Sequence, residues 1–277
     1  MAKSHDVTLR ETKDGTATIK ACRIYPEERV IDHLGVYFDV CNSVMKGGEE
    51  FWFRGNADIT WDLTPSALRK DTVDERNRAL SLLTEFRRYV QMKIANAPGP
   101  KEDLNWVQLA RHHGLPTRLL DWTKSAVIAL YFACDGQYAH DGGVFILNPV
   151  NLNRQVDPKK PRVFDCHSDA HLIEKYLKLS GVKRSNGRRT IAIYPVWNSE
   201  RIMLQQGVFT LAGSREFALN DKQAPGLVCM RIRQAHKKTL LAELDHIGIN
   251  EMSIFPEPEH TCNYLTWRAR LNSRRND

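Results

Sequence analysis

No stretch of this 277-residue chain is apolar for the length of a membrane-spanning helix, so no helical membrane span is expected. The N-terminus, Met-Ala-Lys-Ser-His-Asp, lacks the apolar core of a secretory signal, and a cytoplasmic protein is the expectation. The 6 cysteines (Cys22, Cys41, Cys134, Cys166, Cys229, Cys262) lie far apart with no Cys-x-x-Cys pair. That spacing argues against a disulfide framework or a structural zinc site and fits reduced thiols. His167 and His171, with Cys166 and Asp169 nearby, have a spacing compatible with a metal, but no further ligand pair accompanies them, so no metal is expected. There is no P-loop and no Gly-x-Ser-x-Gly elbow. Helix-turn-helix, zinc-finger and RNP-like aromatic motifs are missing too, which argues against sequence-specific reading of DNA. Internal repeats and low-complexity segments are absent as well.

What is present is ordinary for a globular protein: 42% hydrophobic and 26% charged residues. The formal charge is +7, from 40 Lys+Arg against 33 Asp+Glu. Basic residues cluster at Lys183-Arg184 to Arg188-Arg189, at Arg231 to Lys238, and at Arg268, Arg270, Arg274 and Arg275. Such clusters are either solvated faces or docking points for a polyanion, since basic surfaces attract nucleic acid through phosphate contacts.

The pattern of elements reads as α+β. Residues 1–29 alternate weakly and form an N-terminal extension that fits a peripheral hairpin, residues 30–262 form the main domain, and 263–277 form a basic tail. Phe51 to Gly55 reads as a short aromatic strand. From Asp74 to Ile94, Leu80, Leu83, Phe86, Tyr89, Val90 and Ile94 recur at helical spacing until Ala97-Pro98-Gly99-Pro100 stops the pattern. A second helix runs to Gly114. Strands are expected at 144–147, 190–196, 208–211 and 227–232, and a last helix at 237–247 ends at Gly248. Helices early and strands late suggest α+β ordering rather than strict βαβ alternation.

The densest run is 111–133. Gly114 and Pro116 break a helix, a polar turn carries Thr117, Arg118, Asp121, Trp122 and Thr123, and an apolar helix follows from Ala126. Polar groups fixed at the mouth of a buried helix suit a small-molecule site. The structural alternative is a capped helix with Asp121 paired to Arg118. For Arg54 the corresponding alternative is an ion pair with Glu50 or Asp58. Vicinal His112 and His113 point in different directions on a helix, and His113, beside Gly114, is the candidate for the pocket.

Several motifs occur in order: Phe53-Arg54-Gly55 followed by Trp61 to Ser66 and Arg69; the His112 to Thr123 block; Arg201-Ile202 leading to Gln205-x-Gly207-x-Phe209; and Gly248 to Glu251 before Ile254-Phe255-Pro256. Together they resemble the FRG-domain family, named for its Phe/Tyr-Arg-Gly tripeptide, over about residues 30 to 260. More widely, the chain resembles a divergent ADP-ribosyltransferase. That resemblance implies an α+β split β-sheet with helices packed around a cleft that grips NAD as substrate, without a metal. Arg54 takes the place of the Arg or His that ends the first core strand. Asp121-Trp122-Thr123 stands before Ala129 to Ala133 where that superfamily has a Ser-Thr-Ser segment and an Ala-x-x-Phe-Ala helix. Where it carries a Glu/Gln-x-Glu, this chain has Gln205-Gln206-Gly207, so the usual acid is replaced by glycine, and Glu251 and Asp121 are the candidate substitutes.

The implied catalytic set is therefore Arg54, Asp121, Thr123, Gln205 and Glu251. The implied NAD-binding set is Arg54, Gly55, His113, Thr117, Arg118, Trp122, Tyr131 and Phe209. The chemistry fits these residue types. A planar guanidinium binds pyrophosphate oxygens in a fork, glycine admits a close approach to ligand, and aromatic rings offer stacking surfaces for nicotinamide. Thr123 suits a ribose hydroxyl or the orientation of Arg54. A carboxylate or amide oxygen favours the positive charge that develops when the nicotinamide–ribose bond breaks. The resemblance implies modification of an intracellular macromolecule in a toxin or phage-defence setting with an antitoxin or regulator as partner, and the basic clusters place RNA or DNA slightly before protein as acceptor. The alternatives are a non-catalytic module binding nucleotide or nucleic acid, and an NAD glycohydrolase.

Overall fold

The protein is represented by a computed structural model that describes residues 23–24, 30–45, 47–69, 72–94, 97–177, 189–197, 199–213, 219 and 224–273. Its elements in chain order are β1 (Arg23–Ile24), α1 (Leu34–Val44), β2 (Trp52–Asn56), α2 (Val73–Val90), α3 (Asp103–His112), β3 (Leu119–Thr123), α4 (Ala126–Cys134) and β4 (Gly142–Leu147). Then follow α5 (Pro149–Arg154), β5 (Phe164–Asp165), α6 (Ala170–Leu177), β6 (Ile191–Tyr194), α7 (Glu200–Leu204), β7 (Gly207–Leu211), β8 (Val228–Ile232), α8 (Lys237–His246), α9 (Glu251–Ile254) and α10 (Pro258–Ser273).

The strands form one eight-stranded mixed sheet in the order β1-β8-β4-β2-β3-β7-β6-β5. Its inner pairings are antiparallel and its two edge pairings, β1 with β8 and β5 with β6, are parallel. The junction between β2 and β3 is unlike its neighbours. β2 pairs with β4 along its whole length, from Trp52 opposite Leu147 to Asn56 opposite Gly143, and β3 pairs with β7 just as fully. Between β2 and β3, one pair, Phe53 opposite Thr123, joins the two halves of the sheet. Beyond that pair the strands part, and the edges carrying Arg54, Gly55 and Asp121 face each other across a gap.

Alternation fixes which side chains reach that gap. Trp52 and Arg54 lie on one face of β2, while Phe53 and Gly55 lie on the other. Trp52 joins a core with Leu120, Trp122, Phe145 and Val208. Phe53 joins a second core with Tyr37, Leu130, Ile146 and Leu240, built by α1, α4 and α8. On the same face but across the gap, Leu119, Phe209 and Leu211 pack with Leu104 and Val107 of α3. α4 is apolar nearly all round because it lies buried beneath β2, and the Ser125 hydroxyl caps it by accepting from the Ile128 N–H at 3.4 Å.

Gly55 makes that seat possible. A Cβ there would sit 1.9 Å from the Ala129 carbonyl oxygen and 2.6 Å from the Ala133 nitrogen. The glycine expected to admit a ligand therefore admits a helix. Lys237, at 0% exposure, closes the far end of β2: its ammonium donates to the carbonyls of Ala57 (2.5 Å), Gln137 (3.1 Å) and Gly136 (3.2 Å).

Several expectations change. The segment expected as a polar turn at 117–123 is largely a core strand, β3, because Leu119, Leu120 and Trp122 are buried on its two faces. Helices and strands are not segregated along the chain, since β2 precedes most helices and α8, α9 and α10 come last. Residues 263–273 belong to helix α10. Tyr89, expected on an inward face, is exposed. Of the expected N-terminal hairpin, the described part is β1, which lies beside β8, and the rest falls outside the described residues.

Candidate functional site

The gap between β2 and β3 is spanned by arginine. Arg54 Nη1 donates to the Asp121 main-chain carbonyl at 2.7 Å, so a guanidinium stands where a ladder hydrogen bond would otherwise close the sheet. The Asp121 carboxylate belongs to a second arginine. Arg111, near the end of α3, donates to it from Nε (3.2 and 3.3 Å) and from Nη2 (2.5 Å), a forked charge-assisted contact. Arg54 Nη1 lies 4.0 Å from the same carboxylate. Arg54 starts from the Trp52 side of the sheet and Arg111 from the Leu119 side, and the two converge because the strands do not pair there.

A loop after β2 completes the wall. The Ser66 hydroxyl accepts from Arg111 Nη1 at 3.2 Å and from the Thr117 N–H at 3.3 Å, while Arg69 Nε donates to the Thr64 carbonyl at 2.8 Å. This ties the loop carrying Arg69 to the start of β3.

The electrostatics follow from three guanidiniums around one carboxylate. Burial pulls Arg54 down to about 10, Asp121 offsets part of that, and Arg111 and Arg69 deepen it. Burial and Arg111 together also lower Arg69. For Arg111, burial is outweighed by the charge and hydrogen bonds of Asp121, and its affinity for the proton rises. Burial opposes ionisation of Asp121, but Arg111, with Arg54 and Arg201 behind it, overcomes this and holds the carboxyl below its ordinary value. The Asp121 side chain is 44% exposed, so the charged cluster remains open to solvent. Arg54 Nε is buried with no hydrogen-bond partner. A charged donor is thus left without an acceptor beside two further guanidiniums, Arg69 and Arg111.

The remaining candidates fall into two groups. Phe209 pairs directly with Asp121 on β7 and forms the adjoining wall. Thr117 is buried, and its hydroxyl accepts from the Leu119 N–H at 3.3 Å. Thr123 is also buried; its hydroxyl accepts from the Ser125 N–H at 2.9 Å and shapes the turn into α4. Gln205 caps α7 and reaches the Ile254 carbonyl at 3.5 Å. Glu251 opens α9 and is engaged by His260 Nδ1 at 2.6 Å and Asn263 Nδ2 at 3.1 Å.

Others point elsewhere. Arg118 does not pair with Asp121: just ahead of β3, its guanidinium donates instead to the carbonyls of Tyr176, Leu177 and Ala212. Trp122 is core, its indole donating to Thr210 Oγ1 at 3.1 Å, and Tyr131 is core within α4. Neither presents a stacking face. His113 is exposed at the end of α3, whereas His112 turns toward Glu257. Glu50 pairs with Lys124, Trp52 and Tyr194, and Asp58 with Thr60 and His140, so neither is the partner of Arg54.

Arg111, Ser66, Arg69, Arg201 and Glu257 were not singled out by residue chemistry, although all five stand inside or beside the motifs, Glu257 directly after Pro256. The available signal was Arg111 itself, at the head of the densest motif run. Among the described residues no group of three or more His, Cys, Asp or Glu side chains is placed to hold a metal ion, and no helix is long and apolar enough to cross a membrane. No curated protein and no solved structure matches the chain. Residues 49–142, which carry Arg54, Arg69, Arg111 and Asp121, match the FRG domain family.

Proposed function

We propose that this chain is an NAD-dependent ADP-ribosyltransferase acting on an intracellular macromolecule, nucleic acid before protein, as a toxin or defence effector. The observation that carries the reading is Arg54, set at the gap in the sheet with a buried, partnerless Nε and with Arg69 and Arg111 beside it. Three guanidiniums against one carboxylate leave a local excess of positive charge that suits a pyrophosphate better than a monoanion. NAD bound there would direct its ribose toward the neighbouring carboxylates, where developing positive charge is favoured. The surplus of basic residues over the whole chain, +7, supports a polyanionic acceptor.

A non-catalytic module is the second reading. It is favoured by the engagement of Asp121 with Arg111 and of Glu251 with His260, which leaves neither candidate acid idle. Incubation with labelled NAD and separate pools of protein, RNA and DNA separates the cases. A transferase labels one pool and releases nicotinamide, a glycohydrolase releases nicotinamide without label, and a binding module does neither. Arg54→Ala is expected to keep the fold and lower nicotinamide release by about 10²–10³-fold. Arg54→Lys should fail similarly, because an ammonium cannot reproduce the fork. Turnover near wild type in Arg54→Ala would refute the assignment.

A further inference from the structure

We propose that Glu257 supplies the carboxylate that acts at the ribose; this rests on the NAD reading above. Glu257 stands between Pro256 and Pro258, on the link from α9 to α10. The flanking prolines restrict the backbone on both sides, so the carboxylate is carried by a stiff segment. Its Oε1 lies 3.6 Å from His112 Nε2 and 3.5 Å from Arg201 Nη1. Both contacts are long for hydrogen bonds; the one to Arg201 acts through charge, while burial and Arg201 disfavour the protonated form of His112. Its Oε2 is buried and has no donor at all. One guanidinium, Arg201, and an imidazole that burial and Arg201 push toward its neutral form flank a carboxylate whose second oxygen still lacks a partner, which is costly unless a ligand completes it.

The position is adjacent to the arginine cluster. His112 follows Arg111, which grips Asp121, and Arg201 lies close enough to lower the Asp121 carboxyl. Phe255 holds the segment in place: Arg201 lies 4.7 Å over its ring and His260 stacks on it at 4.1 Å. Asp121, by contrast, has both oxygens engaged by Arg111, and Glu251 has its Oε1 engaged by His260 and Asn263.

The step this serves is heterolysis of the bond between ribose C1′ and the nicotinamide nitrogen. The bonding pair leaves with nicotinamide, which departs neutral, and the positive charge moves to C1′ and the ring oxygen. Glu257 accepts a hydrogen bond from a ribose hydroxyl and offsets that charge. A lone pair of the acceptor then forms the new bond to C1′, and the acceptor's proton passes to solvent.

The test uses the full chain with Glu257→Gln and Glu257→Asp, following nicotinamide release, NAD binding by calorimetry, and thermal melting. Glu257→Gln is expected to lower release by about 10²–10³-fold with NAD affinity within about threefold, since the lost interaction belongs to the transition state. Glu257→Asp keeps the charge beside His112 and Arg201 but withdraws the oxygen by one methylene, and release should fall at least about tenfold with melting unchanged. Release at wild-type level in either variant overturns the inference and leaves the NAD reading standing. A Glu257→Gln protein without a cooperative melt assigns the residue to the fold and also overturns it. Wild-type protein that binds NAD without releasing nicotinamide overturns the catalytic role, and one that does neither overturns the NAD reading too.

Discussion

Asp121→Asn tests the electrostatic account of the gap. The carboxylate is held by the Arg111 fork and lies 4.0 Å from Arg54, with side-chain exposures of 44% for Asp121 and 23% for Arg111. Breaking a buried ion pair costs about 3–5 kcal/mol and an exposed one up to about 1 kcal/mol. Intermediate exposure, and the one acceptor oxygen that asparagine retains, place this loss at roughly 2 kcal/mol. For a chain of this size that is a fall in Tm of about 4–8 °C at neutral pH.

The pH dependence has a definite sign. Because the folded carboxyl titrates below its ordinary value of 3.8, its contribution is complete above that value and is lost as pH falls through the folded pKa. The gap in Tm between wild type and Asp121→Asn should therefore be full at pH 7 and shrink below about pH 4. A second consequence is opposite in direction. Removing the one carboxylate among Arg54, Arg69 and Arg111 should tighten inorganic pyrophosphate binding by about tenfold at low salt, the effect of one charge at this distance in a partly screened site. Differential scanning calorimetry from pH 8 to 3 and pyrophosphate titration supply both readings. Equal Tm values at pH 7, or weaker pyrophosphate binding in the variant, would refute the reasoning.

Gly55→Ala should destabilise the fold by at least about 3 kcal/mol, because the new methyl meets the α4 backbone rather than a flexible side chain; normal melting with loss of NAD binding alone would restore the ligand-approach reading. Lys237→Met should lower stability by about 2–3 kcal/mol, since the buried Ala57 carbonyl and two part-buried carbonyls lose their donor, and a denaturant midpoint equal to wild type would contradict it.

The α+β class, the strands at 52–56, 142–147 and 228–232 and the helix ending at Gly248 were legible, because apolar alternation and glycine stops are local signals. Arg54 and Asp121 were legible through their motif context. β3 was not: polar residues among its buried leucines and tryptophan resemble a turn until a partner strand on one side and a gap on the other give them a place. Glycine at position 55 was determined by sequence, but its reason, the seat of α4, is a contact between residues 55 and 129–133. The choice of Arg111 over Arg118 as the partner of Asp121 was likewise tertiary. The carbonyls of Tyr176, Leu177 and Ala212 take up the guanidinium of residue 118, while the last turn of α3 brings residue 111 to the gap. Glu257 lies 145 residues from His112 in sequence, 257 minus 112, so no local pattern links them. Sequence settled which chemical groups are available and which segments bend or extend. Packing of distant segments decided which of those groups meet, because long-range contacts depend on strand order and helix placement, not on spacing along the chain.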